Sequence, residues 1–219
     1  MMWNEQAWLA GNRAPVRDIH RGLPGYYTIF FPSQKNHNVV LCEGSVEAAY
    51  CVWLEWDPDV IAYYPQPYTF TWETERGLMR YTPDFFVLHE QAANHFTEVK
   101  SDFQQLKEPT RFKLESFAAQ CQTWKIEWRR ADKQQLTSPP AFANLRYLYF
   151  HGLGVNDREQ AYLVDFLSRY PRCFTLGELL NSTYPPSLRA VYRGLFRGEL
   201  STDLNQPLNR HSLVQQRAV

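Results

Sequence analysis

A mixed α/β domain followed by a smaller, mostly helical domain is what this sequence predicts, and three observations lead there. The chain has 219 residues, enough for one large domain or two modest ones, and 44% are hydrophobic with 16% aromatic, enough to fill a core and too many for global disorder. Between Val46 and Trp128, helical stripes alternate with short apolar runs of strand length. At Leu136-Thr137-Ser138-Pro139-Pro140 the chain turns rich in breakers, and every lysine lies before that point. The expected organisation is an arm over residues 1–34, an α/β domain over 35–138 and a small domain over 141–219.

The elements follow in chain order. The arm holds Gly11, Pro15, Gly22, Pro24, Gly25 and Pro32, so it reaches or wraps instead of forming a domain. Val46, Ala49, Tyr50, Trp53 and Leu54 recur at helical spacing, and Asp57-Pro58-Asp59 ends that helix. Val60 to Tyr64 reads as a strand closed by Pro65-Gln66-Pro67. Tyr68 to Trp72 and Leu78 to Tyr81 flank Glu73-Thr74-Glu75-Arg76-Gly77 as a hairpin. Phe85 to Leu88 and Phe96 to Lys100 are two further strands. Thr110 to Gln120 reads as a helix, and Trp124 to Trp128 alternates as a strand does. Beyond the boundary, Asn156 or Asp157 caps a helix with the stripe Tyr162, Val164, Phe166 and Leu167. Thr175 caps Leu176 to Leu180, Ser187 to Phe196 is a third helix, and an alternating segment follows Gly198. Three short helices and a hairpin make a winged-helix-like pattern.

Composition narrows the function. No apolar run approaches the ~20 residues that span a bilayer, and residues 1–15 lack the apolar stretch of a signal peptide, so no membrane partner and a cytoplasmic location are expected. Lysine plus arginine and aspartate plus glutamate number 23 each. That zero is a cancellation: residues 41–100 hold ten acidic groups against three basic, between mildly basic flanks. Such an acidic middle is either a solvated face or a set of metal-binding carboxylates. Cys42, Cys51, Cys121 and Cys173 form no CxxC pair, and the six histidines form no close set, so structural thiols and no histidine metal site are expected. Trp53, Trp56, Trp72, Trp124 and Trp128 are expected in the core.

Pro83-Asp84, a gap of 13 residues, then Glu98-Val99-Lys100 is the stretch that carries chemistry. Glu98 and Lys100 stand two apart on a strand and so share a face, and Asp84 opens the neighbouring strand. Phosphodiester hydrolysis calls for a cation that polarises the phosphate and acidifies a water, and Mg²⁺ takes hard oxygen ligands, often one or two carboxylates. Asp84 and Glu98 suit that role, and the Val99 carbonyl adds an oxygen. Mn²⁺ takes the same ligands. Lys100 can orient the attacking water and offset charge on the phosphate. On the first helix, Glu43 and Glu47 stand at i, i+4, and Glu47 flanks the apolar stripe, from which it can reach Asp84. Glu55 is expected on the surface. Glu98 and Lys100 also fit a surface cross-strand pair, although Phe96 and Val99 indicate a partly buried strand. The order helix with Glu, hairpin, strand with Asp, strand with Glu-x-Lys, helix, strand is that of a restriction-endonuclease-like α/β fold with a PD-(D/E)xK site.

The series goes further than a fold. Phe31-Pro32-Ser33-Gln34-Lys35, Glu43-Gly44-Ser45-Val46-Glu47, Leu54-Glu55-Trp56-Asp57-Pro58-Asp59-Val60, Gln66-Pro67, Tyr81-Thr82-Pro83-Asp84-Phe85 and Glu98-Val99-Lys100 together resemble the TnsA family over roughly residues 30–130. These are the endonuclease subunits of heteromeric transposases. The resemblance implies that Glu47, Asp84, Glu98 and Lys100 are catalytic, with Glu47, Asp84, Glu98 and Val99 on the metal; some members carry Gln where Glu98 stands. It implies cleavage of the 5′ ends of a transposon in double-stranded DNA, with a TnsB-like DDE transposase acting on the 3′ ends and a TnsC-like AAA+ ATPase as regulator. The C-terminal part resembles the family only in architecture. Glu115 is an accessory group or a surface residue.

Arg189, Arg193 and Arg197 form an i, i+4, i+8 stripe on the last helix, suited to DNA phosphates, to an acidic partner or to solvent. Arg13, Arg17 and Arg21 repeat that spacing in the arm. A stand-alone restriction or repair nuclease of the same fold and a non-catalytic adaptor are the competing readings.

Overall fold

The computed structural model describes residues 3–11, 13–16 and 27–217. The chain divides into two compact units, Met1–Leu136 and Thr137–Val219. The first runs α1 (Glu5–Ala10), β1 (Ile29–Ser33), β2 (Asn38–Cys42), α2 (Ser45–Trp56), β3 (Val60–Pro65), β4 (Phe70–Thr74), β5 (Gly77–Tyr81), β6 (Phe85–His89), β7 (His95–Lys100), α3 (Glu108–Trp124), β8 (Trp128–Asp132) and α4 (Lys133–Thr137), whose last residue opens the second unit.

A four-stranded sheet of order β3-β6-β7-β8 forms its centre, with β1-β2 and β4-β5 as separate hairpins. The β3-β6 and β6-β7 pairs are antiparallel, and β7-β8 is parallel. A parallel pair needs a crossover, and α3 supplies it. Along β7 the side chains alternate between faces. His95 and Thr97 meet Tyr50 of α2. Phe96 and Glu98 meet Phe70 and Tyr81 of the β4-β5 hairpin.

The core on that second face is aromatic. Phe117 of α3 is fully buried against Phe70, Tyr81 and Trp128. Ring pairs at such spacings contribute about 0.5–1.5 kcal/mol each beyond area burial. Trp3 completes the cluster against Phe86 and Phe96, with centroids at 5.2 and 4.9 Å, and Trp8 donates its indole N–H to the Pro67 carbonyl at 3.0 Å. Both ends of the arm over residues 1–34 pack into the first unit, through Trp3 and Trp8 at one end and β1 at the other. Arg17 and Arg21, with Gly22, Pro24 and Gly25, lie outside the described residues.

The strand expected over Trp124–Trp128 lies four residues later. Leu114, Phe117, Cys121 and Trp124 extend the helical stripe, so Trp124 closes α3, and Lys125 at φ 58° ends it. Of the tryptophans expected in the core, Trp72 is buried, Trp53, Trp124 and Trp128 are half-buried, and Trp56 is 40% exposed. Cys42, Cys51 and Cys121 are buried free thiols, and Cys173 is exposed.

The second unit runs α5 (Pro140–His151), α6 (Asp157–Ser168), β9 (Cys173–Thr175), α7 (Leu176–Leu180), α8 (Leu188–Arg197), β10 (Leu200–Ser201) and β11 (Leu213–Gln216), with an antiparallel sheet of order β10-β11-β9. Asn156 with Glu159, and Thr175 with Glu178, form reciprocal capping boxes. α6 turns Leu163 and Leu167 inward and leaves Tyr162 and Val164 exposed, which corrects the expected stripe. α5 has no counterpart in the expected pattern; it lies along α8, where Tyr149 packs on Phe196 and Gly152 abuts the Arg193 main chain. Among the described residues no helix is long and apolar enough to cross a membrane.

Candidate active site

The floor of a cleft of about 760 Å³ in the first unit is formed by Tyr81, Asp84, Glu98, Val99 and Lys100, with Glu43 and Glu47 on one wall and Arg80, Thr110 and Lys113 among its other lining residues. Each floor residue is fixed by backbone pairing. Asp84 stands one residue before β6, whose Phe85 pairs with Thr97 of β7. That register brings the Asp84 carboxylate to the Val99 N–H, which donates to Oδ2 at 2.7 Å. Gln66, at φ 45°, donates its N–H to the Asp84 carbonyl at 2.8 Å, which gives the Gln66-Pro67 motif a structural role.

Lys100 brings the site together. Its ammonium stands 2.5 Å from Glu98 Oε1, 3.4 Å from Asp84 Oδ2 and 3.1 Å from the Val99 carbonyl. The Asp84 and Glu98 side chains are 8% and 5% exposed, and that of Lys100 is 29% exposed. Two buried carboxylates therefore share one ammonium. Burial, then the charge of Glu98, pushes the Asp84 carboxyl well above its ordinary pKa. Burial opposes the charge on Lys100, but Asp84 and Glu98 outweigh it and its pKa ends above the usual lysine value.

Tyr81, at the end of β5, donates its hydroxyl to Glu98 Oε2. Burial, then the Glu98 charge, raises its pKa, so the phenol remains a donor. The sequence carried this residue only as part of the Tyr81-Thr82-Pro83-Asp84 run. Its signal was positional: a tyrosine on the strand facing Glu98.

Glu47 lines the same cleft from the third position of α2, where its Oε2 accepts the Glu43 N–H at 2.7 Å. Gly44, at φ 135°, makes that turn from β2 into the helix. Among the described residues, no three His, Cys, Asp or Glu side chains converge closely enough to hold a metal ion by themselves. The donors that do converge are Asp84, Glu98 and the Val99 carbonyl, each in contact with the same ammonium. An all-oxygen set around one positive centre fits a hard divalent cation, which usually completes its shell with water and phosphate oxygens.

Glu55 is buried, not on the surface. Its Oε1 accepts from Ser33 Oγ at 2.5 Å and from the Tyr63 hydroxyl at 2.8 Å. Lys35 donates to the Asp57 and Val60 carbonyls. The 31–35 and 54–60 motifs thus bind each other and hold α2 to its neighbours. Glu115 is exposed. In the second unit, Arg189 pairs with Glu159 at 2.6 Å and Arg193 donates to the Val155 carbonyl at 2.7 Å, while Arg197 is exposed at the helix end. Arg189 and Arg193 are therefore engaged inside their own unit.

Residues 57–137 match the family model for the TnsA-like endonuclease N terminal. The match spans β3 to α4 and takes in Asp84, Glu98 and Lys100; Glu47 and the second unit lie outside it. No curated protein matches the chain. The similarity supports a nuclease of the TnsA-like kind.

Proposed function

We propose that the chain is the Mg²⁺-dependent endonuclease of a cut-and-paste transposition system. It cleaves the 5′ ends of the transposon, with a TnsB-like DDE transposase acting on the 3′ ends and a TnsC-like AAA+ ATPase as regulator. The observation that carries this reading is the convergence of Asp84, Glu98 and the Val99 carbonyl on one cationic point, within the segment similar to the TnsA-like endonuclease. The arrangement is that of a PD-(D/E)xK nuclease.

A Mg²⁺ or Mn²⁺ ion held by Asp84, Glu98 and the Val99 carbonyl would supply polarisation of the scissile phosphate and a more acidic water. The protein's own groups do the rest. The Val99 N–H holds one oxygen of Asp84, and Tyr81 holds one oxygen of Glu98, so both carboxylates are preorganised. Lys100 keeps its charge beside them and can meet a non-bridging phosphate oxygen or orient the nucleophilic water. Glu47 supplies a further carboxylate on the same wall.

The order α6, β9, α7, α8, β10, β11, with β11 between β9 and β10, supports a winged-helix reading of the second unit. Because α5 lies along α8 and Arg189 and Arg193 are engaged, a protein partner suits this unit better than insertion of α8 into a DNA groove.

The test is cleavage of transposon-end DNA in the presence of the partner proteins. Asp84→Ala abolishes cleavage of the 5′ ends and leaves 3′-end cleavage intact. Normal 5′ nicking by that variant overturns the site. Efficient cutting of plain duplex by the purified chain alone would favour the stand-alone nuclease instead.

A further inference from the structure

We infer that Arg80 and Lys113 form a binding site for backbone phosphates of duplex DNA, in the cleft that also holds Asp84 and Glu98. The inference rests on the nuclease reading for the identity of the ligand, and on the following geometry for its chemistry. Both cations line the cleft that holds Asp84, Glu98 and Lys100. Among the described residues neither has a carboxylate partner, whereas the nearby surface cation Arg76 pairs with Glu108. Arg80 is exposed next to the end of β5. Lys113 stands on the second turn of α3 with its ammonium 6.0 Å from the centre of the Tyr81 ring.

Two cations with no carboxylate partner among the described residues, beside a pair of buried carboxylates, form an arrangement that can bind anions. The carboxylates would repel a phosphodiester approaching alone; Arg80 and Lys113 offset that repulsion at the edge of the site. Arginine suits bidentate phosphate contact and lysine a point contact. Thr110 and Ser101 line the same cleft and carry hydroxyls that can donate, while the Thr69 and Thr82 hydroxyls, also in the lining, bond each other at 2.8 Å. The positive end of α3, a helix of 17 residues, adds a partial charge of the same sign near Thr110. Tyr81 links the two halves of the cleft: its ring lies beneath Lys113 and its hydroxyl bonds Glu98. A phosphate at Lys113 therefore abuts the residue that positions a catalytic carboxylate.

The experiment measures equilibrium binding of the full chain to two labelled duplexes of unrelated sequence, without divalent ion, over a salt titration starting low. Arg80→Ala and Lys113→Ala each weaken binding about tenfold on both duplexes, the size of one charge-assisted hydrogen bond. Each lowers the slope of log affinity against log salt by about 1. Lys113→Arg and Arg80→Lys keep most of the affinity. The site is overturned by a double alanine variant that binds like the unaltered chain with the same salt slope. It is equally overturned by an unaltered chain that binds neither duplex at low salt, or by charge-retaining variants that lose as much as the alanine ones. Absence of any cutting by the unaltered chain with its partner proteins and divalent ion, alongside weak binding by the double variant, would sink the nuclease reading and leave this site standing.

Discussion

The Tyr81 hydroxyl bonds Oε2 of Glu98, although the two residues belong to different sheets. The β4-β5 hairpin is thereby tied to the central sheet at a carboxylate of the proposed site. Tyr81→Phe leaves that oxygen buried without its donor. It lowers stability by about 1–3 kcal/mol and weakens divalent-ion affinity about 10- to 100-fold, as loss of a supporting hydrogen bond does. Urea unfolding and a Mn²⁺ titration followed by thermal shift check the two effects separately.

Among the described residues, Lys100→Met removes the one ammonium in contact with Asp84 and Glu98. Breaking a buried ion pair costs about 3–5 kcal/mol, and the partial exposure of Lys100 reduces this to about 2–3 kcal/mol. Mg²⁺ in excess raises the melting temperature of this variant more than that of the unaltered chain, because a bound cation stabilises only the folded form. Equal shifts for both proteins would count against Asp84 and Glu98 as ligands.

His95 gives a pH dependence of known direction. It is buried between Tyr50 and His89, with His89 bonded in turn to Asp59. Burial, then the nearby Arg129 charge, lowers its pKa to about 3. The unfolded chain binds a proton on this histidine below about 6.5, while the folded chain does so only near 3. Its neutral form thus favours folding fully above about 6.5, and stability falls by about 1.4 kcal/mol per pH unit from there down toward 3. His95→Gln removes that part of the slope. Paired denaturant titrations of both proteins between pH 7 and 4 measure the difference.

Gly152 marks a close approach of α5 and α8. A Cβ there would lie 2.9 Å from the Leu148 carbonyl oxygen and 3.0 Å from the Arg193 nitrogen, both main-chain atoms. Gly152→Val destabilises the second unit by about 1–3 kcal/mol through overpacking. The check is proteolysis of the folded chain: cleavage rises within residues 137–219 and stays unchanged within the first unit.

Much of this was legible in the sequence because the decisive signals are local. β6 and β7 follow from apolar runs, and the shared face of Glu98 and Lys100 follows from strand parity. The helix caps at Asn156 and Thr175 follow from short-range chemistry. The misplacement at Trp124–Trp128 arose because Trp-Lys-Ile-Glu-Trp alternates like a strand, while its first residue completes a helical stripe begun at Leu114. α6 departs from its apolar pattern because Tyr162 and Val164 are apolar yet face outward, while Leu163 faces in against Gly194 of α8. Glu55 looked like a surface residue because Ser33 and Tyr63, which satisfy its carboxylate, are distant in the chain or hidden inside a strand. Arg80 and Lys113 share a cleft only through the fold.

The alternation along β7 makes the site more sensitive to length than to composition. One residue inserted between Thr97 and Glu98 would leave a strand that still pairs with β6 and β8. It would also carry Glu98 and Lys100 to the opposite face, against Tyr50 and away from Asp84. Single-residue insertions in this strand should therefore be absent from functional variants. The turn over residues 74–77, at the far end of the β4-β5 hairpin, can lengthen without moving Asp84, Glu98 or Lys100.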